Sequence, residues 1–196
     1  MTDQLTDGER HILLRLAREA VEFAVRGQPL PPLDIKLLTP LLQASSASFV
    51  TLTIDDDLRG CIGALEAYQP LADDVREHAV AAALHDPRFS PVKKNELSRI
   101  KIEVSRLTTP HLLEYSSSED LLKKLNPHVD GVILKDNFRR ATFLPQVWEK
   151  IPDPAEFLSH LCQKMGVRAN TWQAAKLQVF VYQVEEFHEI NDGGAA

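Results

Sequence analysis

The stretch FVTLTIDDDLRGCIGALE, residues 49–66, constrains the fold more than any other. Phe49 to Ile54 is rich in β-branched and aromatic residues, which pack well on a pleated surface. The three aspartates that follow are turn chemistry. Leu58 to about Ala64 then reads as a returning strand, so the segment is a β-hairpin. Alternation places Arg59, Cys61 and Gly63 on one face and Leu58, Gly60 and Ile62 on the other. Because large apolar residues alternate along it, the second strand is expected inside the sheet rather than at its edge.

The flanking segments alternate between helix and strand signals. LTDGERHILLRLAREAVEFAVRG has apolar residues at helical spacing, Thr6 or Asp7 as a cap and Gly27 as a stop. PLPPLDIKLLTPLLQ carries four prolines and reads as an ordered connector with about one helical turn. PLADDVREHAVAAALHD is a second helix, ended by Asp86 before Pro87, since a residue preceding proline is pushed out of helical geometry. In SRIKIEVSRL, Ile100, Ile102 and Val104 take one strand face, and Lys101, Glu103 and Ser105 the other. SSEDLLKKL is a short helix, DGVILKDNFRRATFL a second hairpin with KDN at its turn, DPAEFLSHLCQKMG a helix with Pro154 in its first turn, and KLQVFVYQVEEF one final strand. The tail, 191–196, is expected to be mobile. Hairpins with helices between them argue an α+β fold, an antiparallel or mixed sheet with packed helices, not a doubly wound parallel sheet.

At 196 residues one ordinary domain is expected. The net charge of −6 disfavours a general nucleic-acid binder. Two short basic stretches, VKKNELSRIK and NFRRA, read as solvated faces. No apolar run is long enough for a membrane span, and no membrane partner is expected. The polar, acidic N-terminus is unlike a secretory signal. Two distant cysteines form no disulfide framework and no paired-cysteine metal site, so a reduced, cytoplasmic protein is expected. Phosphate loops, zinc-protease helices and nucleophile elbows are absent, and no cofactor or metal is implied.

The motifs LRGCIG, PLADDVREHAVAAALHDPRFSPV, IEVSRLTTP, DGVIL and FLPQVWEKIPDPAEFLSHLCQKMG occur in that order. In this the chain resembles the AMMECR domain family, in particular its bacterial and archaeal members in the AmmeMemoRadiSam system. The resemblance runs over about residues 9–186 of a single domain spanning 1–196. One departure is KMGV at Lys164 to Val167, where the family usually has KAGL. The resemblance implies two unequal lobes with a cleft lined by the LRGCIG region. It also implies association with a Memo-type protein and a radical-SAM protein. It assigns no reaction.

Cys61 can be read in two ways. As a nucleophile or soft ligand it would lie beside Arg59, whose charge favours a thiolate. As a small buried residue it would only pack. Gly60 and Gly63 would let a backbone or ligand approach closely. Glu103 would be a base or orienter, or a structural ion-pair partner of Arg59 holding the strands in register. Arg59, Arg88 and Ser105 would bind, with Arg88 either an anion clamp or an anchor for Asp86 or a carbonyl. His78 and His85, with Asp74, read as a solvated helix stripe before a metal site. Two function classes follow. One is an enzyme or accessory enzyme acting on a small molecule with Cys61 and Glu103 as catalytic residues. The other is a non-catalytic ligand- or protein-binding module using the same cleft.

Overall fold

The structure, a computed structural model, describes residues 4–136, 138–174 and 177–189. Helix α1 spans Asp7–Val25. The Thr6 hydroxyl accepts from the Glu9 amide and the Glu9 carboxylate accepts from the Thr6 amide, which satisfies two otherwise orphaned helix-end donors. Gly27 at φ +70° ends it. The proline-rich connector holds a 3-10 turn at Ile35–Leu37 and a short helix, α2, at Pro40–Gln43. Strands β1 (Ser45–Ile54) and β2 (Asp57–Gly63) form the expected hairpin. Its two-residue turn is Asp55–Asp56, both at positive φ, a conformation that aspartate tolerates.

Strand β3 (Gln69–Pro70) leads into helix α3 (Leu71–Leu84). Strand β4 (Ile100–Leu107) follows the DPRF turn and a 3-10 turn at Lys94–Glu96. The chain continues through β5 (His111–Leu112), α4 (Ser118–Lys124), β6 (Gly131–Asp136), β7 (Arg139–Phe143), α5 (Pro154–Lys164), α6 (Thr171–Ala174) and β8 (Gln178–Tyr182), and ends in β9 (Val184–His188). The fold is α+β, with antiparallel pairing in both sheets.

Two compact units result: Met1–Thr108 with Glu185–Ala196, and Thr109–Val184. In the first, the sheet order is β2-β1-β4-β9, with β3 on the end of β1. One face carries Val50, Leu52, Ile100, Ile102 and Val104, buried against α1 and α3. The second unit has the sheet order β5-β8-β6-β7. Its core is built on the stacked Trp148 and Phe157 rings, 3.6 Å apart, with the Trp148 indole N–H donating to the Asp130 carbonyl.

Three expectations are corrected. The segment expected as one final strand is two, β8 and β9, in different sheets. Its apolar run hides the break at Gln183. β2 lies at the edge of its sheet, not inside it. Simple alternation along β2 also fails at one residue: Leu52 pairs with Gly60 but Thr53 pairs with Leu58, so Arg59 is the extra residue of a β-bulge. Asn137 of the KDN turn and the tail at 191–196 lie outside the described residues.

Candidate functional site

Every candidate site residue read from the sequence lies in the first unit. Gly60 faces α3: a Cβ there would sit 2.2 Å from the Ala82 carbonyl oxygen. The small residues Ala79, Ala82 and Ala83 on α3 bring helix and strand this close. Gly63 is equally constrained, with a Cβ meeting the Phe49 ring at 2.3 Å and the Ser48 carbonyl at 2.4 Å.

The same close packing delivers the residue after α3's cap, Asp86, to the outer edge of β2. Oδ2 of Asp86 accepts from the Cys61 amide at 2.8 Å. Arg88 Nη2 donates to the Cys61 carbonyl at 3.1 Å. The two side chains are joined by Arg88 Nε to Oδ1 at 3.0 Å and Nη2 to Oδ2 at 2.7 Å. An Asp–Arg pair thus occupies the backbone donor and acceptor that an edge strand leaves open. LRGCIG and DPRF are one interlocked feature, and Arg88 is an anchor for both Asp86 and a carbonyl. The Arg88 guanidinium holds the Asp86 carboxyl far below the usual carboxylate range, against the opposing push of burial.

Arg59 does not pair with Glu103, as the sequence suggested. The bulge re-aims it, and its guanidinium makes a bidentate pair with Glu96, at 2.8 and 3.2 Å. Glu96 also accepts from the Lys93 amide at 2.8 Å. Its carboxyl is held low, chiefly by the Arg59 bond. Arg59 and Glu96 line one cavity of about 380 Å³. Glu103 lines another, of about 540 Å³, with Thr53, Asp56, Lys101 and His188.

Cys61 and Glu103 do share a sheet face, though not on adjacent strands. Both pair with Thr51 of the intervening β1, which sets the three in one row on the side turned away from α1 and α3. Phe49, Gly63 and Ser105 form the next row. Two strand spacings of roughly 4.8 Å put the thiol and the carboxylate about 10 Å apart, beyond direct proton transfer. Cys61 is half-buried, and its sulfur takes a hydrogen bond from the Thr51 hydroxyl at 3.3 Å. Ser105 is buried. Glu103 is half-buried, and burial raises its carboxyl above the ordinary value, with the negative charge of Glu186 adding to the rise and His188 opposing it. Among the described residues no hydrogen bond reaches the Glu103 side chain.

The histidine stripe is solvated at His85 but not at His78 and Asp74. His78 and Asp74 are buried, with Nδ1 3.2 Å from Oδ2, and the same Oδ2 accepts from the Ser48 hydroxyl at 2.6 Å. Asp74 stands between serine and histidine, so the imidazole cannot act on the hydroxyl. Among the described residues no group of three or more His, Cys, Asp or Glu side chains is placed to hold a metal ion, and no helix is long and apolar enough to cross a membrane.

Sequence reasoning missed Thr51, Glu96 and the bond from the Cys61 amide to Asp86. Asp86 had a local signal: an aspartate before proline with an arginine two residues on, which closes a turn through the Arg88 amide at 3.0 Å. Thr51 had a misleading one. Counting back from the two-residue turn without a bulge pairs it with Gly60.

The chain is 38% identical to a protein of Thermofilum pendens, over 97% of this chain and 94% of that protein. It is 37% identical to protein MK0488 of Methanopyrus kandleri, over 96% and 92%. A crystal structure of the uncharacterized protein PH0010 from Pyrococcus horikoshii matches with a TM-score of 0.69 and 34% identity, covering 90% of this chain and 89% of that one. The AMMECR1 family model matches residues 14–187, and with it the hairpin, the DPRF turn and the row through Thr51, so the chain belongs to the AMMECR1 family.

Proposed function

We propose that the chain is a non-catalytic accessory protein that uses the sheet face around LRGCIG as a contact surface for a protein partner. The observation that carries this is the state of Glu103: a half-buried carboxyl, raised by burial, without a hydrogen-bond partner among the described residues, in the same row of the sheet as a half-buried thiol. The motif charges are each paired with a carboxylate, Arg59 with Glu96, and Arg88 with Asp86 while it also reaches Cys61. A nucleophilic cysteine is activated by a base or a free cation beside it; the Cys61 sulfur has the Thr51 hydroxyl as a donor, and the Arg88 guanidinium that also interacts with it is already paired with Asp86. A partner that places a cation or donor over Glu103 would satisfy it. The Memo-type and radical-SAM proteins implied by the family resemblance are the first partners to try.

The enzyme reading keeps one specific support: the Cys61 sulfur is half-buried rather than sealed, and a hydroxyl is aimed at it. Titration of the intact protein with the Memo-type and the radical-SAM protein separates the two. Glu103→Lys is expected to weaken binding by about tenfold, the loss of one charge-assisted contact, while Cys61→Ser changes it little. Unchanged affinity in Glu103→Lys, or a covalent adduct on Cys61 of the wild type, would overturn the contact-surface reading.

A further inference from the structure

The proline-rich connector after α1 is held by a buried charge that no carboxylate neutralises. Arg76, on α3, is 9% exposed, and its Nη2 donates to the Pro31 carbonyl. Its Nε is buried without a hydrogen-bond partner, and among the described residues no carboxylate pairs with it. Burying an unpaired guanidinium is destabilising, and one carbonyl bond offsets little of that. What the bond does is fix one point of the connector. Around that point the chain is extended. Proline sets φ near −65° at Pro29, Pro31 and Pro32, and the residue before each is pushed to extended geometry. Residues 28–32 have no positive φ and no cis bond, and belong to no helix or strand. This is a polyproline II strap. In the backbone of 29–33, only the Pro31 carbonyl takes a hydrogen bond among the described residues. With three residues per turn, Pro29 and Pro32 share one edge, and both are exposed. Leu30 is exposed too, and just beyond it Ile35 and Leu37 are exposed at 63% and 64%. Departures from local preference without a packing gain mark functional positions.

We propose that this strap is a recognition segment, read by a partner protein through a groove lined with aromatic rings. A polyproline II segment is already in its bound shape, and its open carbonyls suit the indole and phenol donors of such a groove. Arg76 is a positioning residue: it holds the strap in one place, so less order has to be created on binding. Over 28–38 the charge is zero, Asp34 against Lys36, which favours neither an anionic lipid surface nor nucleic acid. Six residues at about 3.1 Å each span about 19 Å, too narrow a strip for the face of about 800 Å² per partner that a stable dimer of this chain would need. A groove that takes up one short extended segment fits it. The strap lies on α3, and α3 covers the sheet face opposite Cys61 and Glu103, so this contact is separate from the docking face proposed above.

The test is photo-cross-linking in the cell that makes the protein, with benzoylphenylalanine introduced in place of Leu30 or of Ile35, and in place of the exposed Glu149 as control. Adducts to one protein are expected from the two connector positions and not from the control. Mass spectrometry should map the linked residues beside Trp or Tyr. Titration of that purified protein against the intact chain then isolates the strap. Pro29→Ala combined with Pro32→Ala is expected to weaken binding about tenfold. Arg76→Met is expected to weaken it about fivefold, and Arg76→Lys, which keeps a donor, to restore most of the loss. Both prolines are exposed, and melting curves matching the wild type will show that the fold is intact. Adducts no more abundant than at Glu149, adducts to a second copy of the chain or to lipid, a contact region without aromatic side chains, or affinity indifferent to the two proline changes overturns the proposal. Wild-type affinity in Arg76→Met overturns the positioning role of Arg76.

Discussion

Gly60→Val is expected to destabilise the protein by about 3 kcal/mol or more, at or beyond the top of the usual range for an overpacked site. The obstacle is the Ala82 carbonyl oxygen, 2.2 Å from where the first added carbon would stand. A side chain there could rotate aside; a helix backbone cannot. Relief requires β2 and α3 to separate, and α3 is what carries Asp86 to the Cys61 amide. For a chain of this size the melting temperature should fall by roughly 6–12 °C. Gly8→Ala, where an added Cβ meets nothing within 4 Å, is the control and should leave stability unchanged or raise it slightly. Melting of Gly60→Val within 1 °C or so of the wild type would mean that strand and helix are not in contact there.

Asp86→Ala is expected to cost about 2–3 kcal/mol, mostly for leaving the Cys61 amide without its acceptor. Arg88 adds less, since its side chain is 53% exposed and water can take over its charge. The loss should depend on pH in a defined direction. The folded-state pKa of Asp86 is depressed, so its contribution is complete above the unfolded value of about 3.9 and drains away as pH falls towards the folded one. Urea unfolding should therefore separate wild type from Asp86→Ala most at neutral pH, with the gap narrowing below about pH 4. A gap that stays constant or widens in acid would show that the carboxylate is not held by Arg88.

The parts of this arrangement that were legible in the sequence are local. The hairpin turn, the capping of α1 and the apolar stripe of α3 depend on residues within a turn or two of one another, and each has a steric or hydrogen-bond signature. The engagement of Asp86 with Cys61 and of Arg59 with Glu96 joins residues 25 and 37 positions apart, on elements whose contact only packing decides. The edge position of β2 was equally hidden, because a strand covered on one face by a helix reads as interior from its composition. The bulge at Arg59 mattered most. One extra residue turned the arginine towards Glu96 and moved Thr51 from Gly60 to Cys61, and no residue type announces it. What the sequence did carry correctly was the face: Glu103, Cys61 and Gly63 share it, and Gly60 is turned against a neighbouring element.

The contact-surface reading and the enzyme reading part most sharply over Cys61 in the living cell. The measurement is an untargeted metabolite profile of strains in which the gene is deleted, or replaced by Cys61→Ser or by Glu103→Lys, with protein levels checked by immunoblot. If the face is a docking surface, Cys61→Ser matches the parent strain and Glu103→Lys matches the deletion. A Cys61→Ser strain with normal protein levels and the profile of the deletion would contradict the account and make the thiol catalytic.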